Sequence, residues 1–291
     1  MRSSATLAVA GGDVRQAHLA ALLRDSGCTV RTFALGSAPV EGCTAYAEPH
    51  PCFAGAQAVI LPLPVQRGDG QLNAPLADAP YALSGVLDAI PSGTLTLAGS
   101  VPFWVHARAV QNNLHLIDYL TRDELAIRNA IPTCEGAIQL AMEQTDCTLH
   151  GAQCLVIGCG RIGALLARKL HALDACVTVS ARAPRDFARI EAAGMRWLDT
   201  RRLAGRLAGF DLVFNTVPAP VLGKTELEEL KPGCVVIDLA SLPGGIAPDL
   251  AAPPACRVLH ALSLPGRVAP RSAARAIYDT VRAILQEEGI V

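Results

Sequence analysis

The run Gly158-Cys159-Gly160-Arg161-Ile162-Gly163 constrains this chain more than any other feature. It directly follows Cys154 to Ile157, an apolar stretch that reads as a buried strand. It directly precedes Ala164 to Leu173, where Leu165, Leu166, Leu170 and Leu173 recur at helical spacing. In that setting each glycine has a physical reason: Gly158 permits the tight turn, Gly160 lets a pyrophosphate approach the backbone, and Gly163 lets helix and strand pack closely. Arg161 and Ile162 open the helix, whose first N–H groups have no intrahelical partner and favour an anion. A glycine turn with no ligand is the alternative, and the intact strand–turn–helix context disfavours it.

Further strands follow at Cys176 to Ser180, Asp211 to Asn215, Cys234 to Asp238 and Arg257 to Ala261, with helices between them. Thr225-x-x-Glu228 is a candidate capping box for one of those helices. The first half alternates in the same way. Thr6 to Ala10, Cys28 to Phe33, Ala58 to Leu61, Thr94 to Ala98 and Leu114 to Ile117 read as strands, Val14 to Asp25 as a helix, and Pro62 to Pro80 as a long surface loop. Asp123 to Ala130 reads as a short helix, and Pro132-Thr133 restarts a longer one over Cys134 to Cys147 with Thr133 as its N-cap. The expected fold is α/β, with two doubly wound parallel-sheet domains, the second a Rossmann NADP-binding domain, and an interdomain cleft. Residues 1–130 form the expected substrate-side domain and 131–270 the nucleotide domain. The tail 271–291, with its amphipathic helix Ser272 to Glu288, is expected to pack back on the first.

Composition narrows the function. With 51% hydrophobic and 18% charged residues, the chain can bury a large core. A formal net charge of -1 gives no general field for nucleic acid or an anionic membrane. No uncharged apolar stretch of roughly eighteen residues is present, and the N-terminus lacks a secretory signal. The ten cysteines show neither C-x-x-C nor zinc spacing, so they read as small buried thiols of a reducing cytosol, with no metal site. A soluble cytoplasmic protein is expected; a homo-oligomer is left open.

The end of the second strand of the nucleotide unit bears on the cofactor. An NAD site places Asp or Glu there to grip the ribose, whereas this chain reads Val179-Ser180-Ala181-Arg182. The Arg182 guanidinium can pair with a 2′-phosphate and the Ser180 hydroxyl can add a hydrogen bond, with Arg185 just beyond. NADP is therefore expected over NAD, with a solvated Arg182 as the alternative. Asn215 and Thr216 end the next strand, where Asn215 can hold ribose or the nicotinamide amide, or form an Asx turn. Asp238 lines the same carboxyl edge as a ligand, a turn residue or an N-cap.

Several blocks in fixed order carry a family resemblance. They are Gly11-Gly12-Asp13-x-Arg15, then Asn129-Ala130-Ile131-Pro132-Thr133-Cys134-Glu135-Gly136-Ala137-Ile138, then the Gly158 to Gly163 fingerprint. Asp238-Leu239-Ala240-Ser241 with Pro243-Gly244-Gly245, and Leu264-Pro265-Gly266 with Ala269-Pro270, complete the set. In this order they resemble the family of dipicolinate synthase A subunits from spore-forming bacteria, over nearly the whole chain. One departure is Cys134, where the family block has Ala; a thiol there is a benign swap or a reactive group.

The resemblance implies NADP-dependent oxidation of dihydrodipicolinate, or its hydroxylated tetrahydro precursor, to dipicolinate. It also implies the flavoprotein-like B subunit of dipicolinate synthase as partner, in the mother cell of a sporulating bacterium. A small dicarboxylate substrate needs cations and N–H donors. Arg15 leads as carboxylate ligand, with a plain solvated arginine as the alternative, and Asp13 is more naturally the N-cap of its helix than a base. Thr133 and the following helix N-terminus can take the other carboxylate, with Glu135 in that first turn. Ser241 to Gly245, with Gly244 and Gly245, can close over substrate through free N–H groups, and Arg267 is a further anion ligand. None of the seven histidines marks itself as a base; His106, His115 and His260 each read as structural. A two-domain 2-hydroxy- or amino-acid dehydrogenase, and a non-catalytic nucleotide-binding protein, are the competing readings.

Overall fold

Alternating apolar runs and amphipathic stretches assemble into two compact units in the computed structural model, Met1–Asn129 with Ala269–Val291, and Ala130–Val268. The structure describes residues 4–241, 243–246 and 256–291.

The first unit is built from β1 (Thr6–Ala10), α1 (Val14–Asp25), β2 (Thr29–Phe33), β3 (Thr44–Tyr46), α2 (Pro49–Phe53) and β4 (Ala58–Ile60). A two-stranded hairpin, β5 (Gln66–Arg67) and β6 (Gln71–Leu72), comes next, inside the stretch expected to be loop. After it come α3 (Leu83–Asp88), β7 (Leu95–Ala98), α4 (Phe103–Gln111) and β8 (His115–Asp118). The main sheet is parallel, in the order β3-β2-β1-β4-β7-β8. Its central strands β1 and β4 are buried almost throughout, which is why they read as continuous apolar runs rather than alternating ones.

The helix that the sequence breaks at Pro132 is one helix, α5, spanning Asp123–Gln144 with Pro132 inside it. Proline has no N–H to give the carbonyl of Arg128, a cost normally sufficient to end a helix. Here Cys134, Ala137 and Ala141 are fully buried in an apolar cluster, and that packing carries the helix through. Thr133 therefore lies in the helix interior and is not an N-cap.

The second unit continues with β9 (Gln153–Ile157), α6 (Arg161–Ala172), β10 (Cys176–Ala181), α7 (Pro184–Ala192), β11 (Arg196–Asp199) and β12 (Leu212–Asn215). Then follow α8 (Lys224–Glu228), β13 (Val235–Asp238), β14 (Arg257–His260) and α9 (Leu264–Val268). Its sheet is all parallel, in the order β11-β10-β9-β12-β13-β14. This is the doubly wound arrangement in which the strand order reverses beside the first strand, leaving a crevice at the carboxyl edge. The capping box belongs to Gly223 and Glu226 rather than Thr225 and Glu228: the Gly223 N–H donates to Glu226 Oε2 at 2.9 Å.

The last helix, α10 (Pro270–Glu287), belongs to the first unit. Ile277, Val281, Ile284 and Leu285 share a buried cluster with Leu19 and Leu23 of α1. Pro270 in its first turn costs nothing, because that N–H would have no helical partner. Among the described residues no helix is long and apolar enough to cross a membrane. All ten cysteines are free thiols, five of them buried, while Cys147 and Cys176 are exposed.

Candidate functional site

The β9–α6 turn is built as its glycines require. Gly158 has φ +100°, a left-handed conformation that side chains rarely adopt, and a Cβ there would lie 2.5 Å from Thr216 Oγ1. A Cβ on Gly163 would stand 2.1 Å from the carbonyl oxygen of Gly158, so only glycine lets α6 sit this close to β9. Gly160 differs: among the described residues a Cβ there would meet no atom within 4 Å. Gly160 is also the N-cap of α6, and no side chain caps that helix. Among the described residues nothing demands glycine at 160, and the bare backbone there leaves room for an anion at the start of α6. These features fit a dinucleotide pyrophosphate.

A groove of about 620 Å³ surrounds this turn. The end of β12 supplies Thr216, Val217 and Pro218, and the end of β10 supplies Ala181, Arg182 and Ala183. Arg161, Arg185 and Arg189 also line it. Among the described lining residues the acid is Asp186, whose Oδ1 lies 3.7 Å from Arg185 Nε and 3.5 Å from Arg189 Nη1. The positive balance at the β10 side is therefore a property of the folded groove, not of Arg182 alone.

Ser180 is placed differently from the expectation. It is fully buried, and its Oγ accepts a hydrogen bond from Thr200 Oγ1 at 3.0 Å. The pleat turns Ser180 into the sheet, and Thr200 lines the groove instead. Neither Thr200 nor Arg189 stands out in the sequence. Thr200 follows β11, a short, largely exposed edge strand with no apolar run to announce it.

At the other side of the carboxyl edge, Asn215, Asp238 and His260 form a row of register partners on β12, β13 and β14. Asn215 is fully buried. Its Nδ2 donates to Val217 O at 3.0 Å and to Asp238 Oδ1 at 2.8 Å, while its Oδ1 accepts the Val217 N–H at 3.1 Å. Asp238 is 1% exposed; its Oδ1 also accepts Ala240 N at 3.1 Å, and its Oδ2 accepts Gly245 N at 2.8 Å. Both side chains thus shape the loops rather than reach out as ligands, as a buried carboxylate needing donors must. Thr216 lines the groove, but its hydroxyl is donated to Ile157 O at 2.8 Å.

The substrate-side candidates separate. The Gly244 N–H is donated to Ser241 O and the Gly245 N–H to Asp238, so those groups are committed within the loop, not free for a ligand. Both glycines are needed because a Cβ would strike Asp238 Oδ2 at 2.8 Å from Gly244 and Asn215 Nδ2 at 1.9 Å from Gly245. Ser241 is exposed, and Leu242 lies outside the described residues.

Glu135 is mid-helix and exposed, and Lys169 Nζ of α6 bonds its Oε1 at 2.9 Å, so it is not a first-turn acid. Thr133 is buried in the interior of α5, so it does not stand at the start of that helix. Cys134 donates to Ile162 O at 3.5 Å, and burial pushes its thiol up to about 12, the state of an inert thiol. Arg267 is exposed on α9.

In the first unit, Asp13 caps α1 by accepting the Arg15 N–H at 3.0 Å. Arg15, expected as an open carboxylate ligand, is buried. It grips Asp13 through Nε at 2.9 Å and Nη2 at 2.9 Å, and donates Nη2 to Leu63 O at 2.7 Å. A guanidinium so placed braces the β1–α1 turn.

Comparison with known proteins agrees with this architecture. A family model for the N-terminal domain of the dipicolinate synthase A subunit matches residues 6–120, and one described as putative NAD(P)-binding matches residues 147–240. Over 251 residues the chain is 32% identical to the dipicolinate synthase A subunit of Bacillus subtilis (strain 168), covering 84% of each. The chain belongs to the dipicolinate synthase A-subunit family. A crystal structure of the dipicolinate synthase A subunit from Bacillus halodurans superposes with a TM-score of 0.90 at 30% identity, covering 98% of this chain and 99% of that one. A transhydrogenase from Sinorhizobium meliloti superposes at TM-score 0.74 with 18% identity over 97% of this chain and 94% of that one, which shows a shared fold. As a member of the A-subunit family with an NAD(P)-binding domain, the chain is an oxidoreductase-type protein that takes a nicotinamide cofactor.

Proposed function

We propose that the chain oxidises dihydrodipicolinate, or its hydroxylated tetrahydro precursor, to dipicolinate with NADP+. It does so as the A subunit of dipicolinate synthase beside a flavoprotein-like B subunit, in the mother cell of a sporulating bacterium. The observation that carries the cofactor assignment is the groove at the β10 end, where Arg182, Arg185 and Arg189 stand and the strand end has no acid. Family membership supports the substrate.

When bound, a nicotinamide dinucleotide supplies an acceptor for hydride from a substrate carbon. The protein's part is to hold and orient. The α6 N-terminus and the bare backbone at Gly160 receive the pyrophosphate, with Arg161 and Ile162 supplying N–H groups. Arg182, with Arg185 and Thr200 beside it, receives the ribose 2′-phosphate. Thr216 and the Asn215–Asp238 pair set the loops over which the nicotinamide half extends. Ser241 and Arg267 are the exposed substrate-side groups in this unit, suited to a dicarboxylate.

The test is turnover of dihydrodipicolinate by the purified chain, by itself and with the B subunit, using NADP+ or NAD+. The expected outcome is dipicolinate with stoichiometric NADPH. No product with either dinucleotide, with the partner present or absent, overturns the substrate assignment. Faster turnover and tighter binding with NAD+ overturn the cofactor assignment alone.

A further inference from the structure

We propose that His260 accepts the proton released in the oxidation, with Asp238 as its positioning residue. The proposal rests on the proposed function, in which an oxidised nicotinamide dinucleotide acts on a dihydropyridine dicarboxylate.

Three observations place the pair. First, β14 ends on His260 and β13 ends on Asp238, direct register partners on neighbouring parallel strands. Second, the Asp238 carboxylate cannot turn away. It is 1% exposed and held by Asn215 Nδ2, Ala240 N and Gly245 N, and its Oδ2 lies 3.7 Å from His260 Nδ1. The imidazole, by contrast, is 60% exposed on its side-chain surface. One edge of the ring faces a fixed buried carboxylate, and more than half of the side-chain surface is open to solvent.

Third, the sheet order assigns the pair to one half of the crevice. On the proposed reading the pyrophosphate would lie at the β9–α6 turn, and the arginines that line the groove on the β10 side would make that side the adenosine half. A dinucleotide bound across a doubly wound sheet then extends its other half over β12, β13 and β14. His260 is on that side.

The chemistry needs a group there. Aromatising a dihydropyridine breaks a ring C–H bond whose electron pair leaves with hydrogen, as hydride, for the oxidised nicotinamide ring. A second hydrogen leaves a ring N–H or C–H as a proton, its electron pair staying to complete the aromatic ring. Neutral His260 with its proton on Nδ1, toward Asp238, presents the Nε2 lone pair outward and takes that proton there. The resulting imidazolium is paired with Asp238 and passes the proton to solvent from its exposed edge. At 3.7 Å the fixed carboxylate exerts an electrostatic preference for a proton on Nδ1, and a small ring movement on ligand binding would close the distance to a hydrogen bond.

His260→Ala tests the step, in the chain assembled with its partner. The side chain is largely exposed, so the fold should persist. The expected result is a kcat about 100- to 1000-fold lower, NADPH binding by fluorescence within about threefold of wild type, and partial recovery of kcat with added imidazole. Independently of turnover, 15N shifts of His260 in the wild-type chain should show the neutral ring protonated on Nδ1. An Nε2-protonated neutral ring, H260A turnover within about threefold of wild type, or a lost kcat that imidazole leaves unrestored overturns the proposal. If wild type itself makes no dipicolinate, the substrate reading falls and takes this step with it, an outcome distinct from an active H260A.

Discussion

Gly160 and Gly163 sit three residues apart in one motif, yet the structure predicts opposite failures when each becomes alanine. At Gly163 the new Cβ would lie 2.1 Å from Gly158 O and 2.9 Å from Gly158 C, both backbone atoms that cannot swing aside. Relief needs α6 and β9 to separate by about 1 Å, and overpacking of that kind costs up to about 3 kcal/mol. For a unit of this size that lowers Tm by about 6–12 °C. At Gly160 the Cβ meets nothing within 4 Å, and the residue's φ of -83° suits alanine. Alanine is a poorer N-cap than glycine by several tenths of a kcal/mol, but it restricts the unfolded chain by a similar amount, so the Tm should move by no more than about 2 °C. The methyl group would, however, stand where the pyrophosphate approaches. Losing one charge-assisted N–H···O contact costs about 1.5–3 kcal/mol, or about 10- to 150-fold in Kd. Thermal melts and NADPH fluorescence titrations on both variants give the two readouts. A G160A variant that binds NADPH like wild type, or a G163A variant that melts like wild type, would refute the reasoning about this turn.

Other outcomes follow from single groups. Arg182→Ala should weaken NADPH binding about tenfold and leave NADH binding within twofold, because only the 2′-phosphate distinguishes the two ligands; equal losses for both dinucleotides would remove Arg182 from the cofactor assignment. In the native chain a maleimide should label the exposed Cys147 and Cys176 rapidly. It should spare Cys134, Cys154 and Cys234, whose thiols burial pushes up to about 12, with peptide mass spectrometry as the readout. Acid should destabilise the protein through carboxylates that cations hold ionised. Arg201 draws Asp199 down to about 2 from the ordinary 3.8, Arg108 lowers Asp88, and Arg122 lowers both Glu124 and Glu287. Since folding depresses these groups, the unfolded chain binds more protons below about pH 4.5; Tm should therefore hold from about pH 7 to 5.5 and fall steadily toward pH 2. A Tm that rose on acidification would contradict those pairings.

The legible parts of the fold were those with unambiguous periodicity. β1, β9 and β12 are apolar runs buried on both faces, and their neighbours repeat the pattern. Edge strands β3 and β11 escape because half-exposed, polar, short segments have no such signature. Pro132 misleads for a different reason: a local penalty is outweighed by the burial of Cys134, Ala137 and Ala141, which no window of sequence contains. At the site, Gly158 and Gly163 could be anticipated residue by residue, because each answers a backbone constraint, whereas Gly160 answers none among the described residues. Side-chain roles were less accessible. Whether Ser180 or Thr200 faces the groove depends on the pleat and on a strand the sequence hid. Whether Arg15 is open or paired depends on where Asp13 and Leu63 bring their oxygens. His260 gains its significance only once β14 is placed beside β13, since nothing in the linear chain connects it to Asp238, twenty-two positions away.

Both units share one strand order, so the difference in what their first turns can bind must lie in the turns themselves. Each turn follows the first strand and opens a twelve-residue helix, and each is glycine-rich. In the first unit Gly11 and Gly12 adopt φ +64° and +92°, and Asp13 then places its own carboxylate at the N-terminus of α1. That carboxylate accepts the Arg15 N–H, and the Arg15 guanidinium closes over it, so the helix end already holds an anion, neutralised and partly buried. A phosphate would have to displace a covalently attached, charge-paired competitor. In the second unit the equivalent position is Gly160, which brings no side chain and no charge, and the helix end stays open beside a groove lined by arginines. The shared architecture thus supplies two helix N-termini of the same design, and a single residue choice at each N-cap fills one from within and leaves the other without a side-chain cap, where the proposed function puts the dinucleotide.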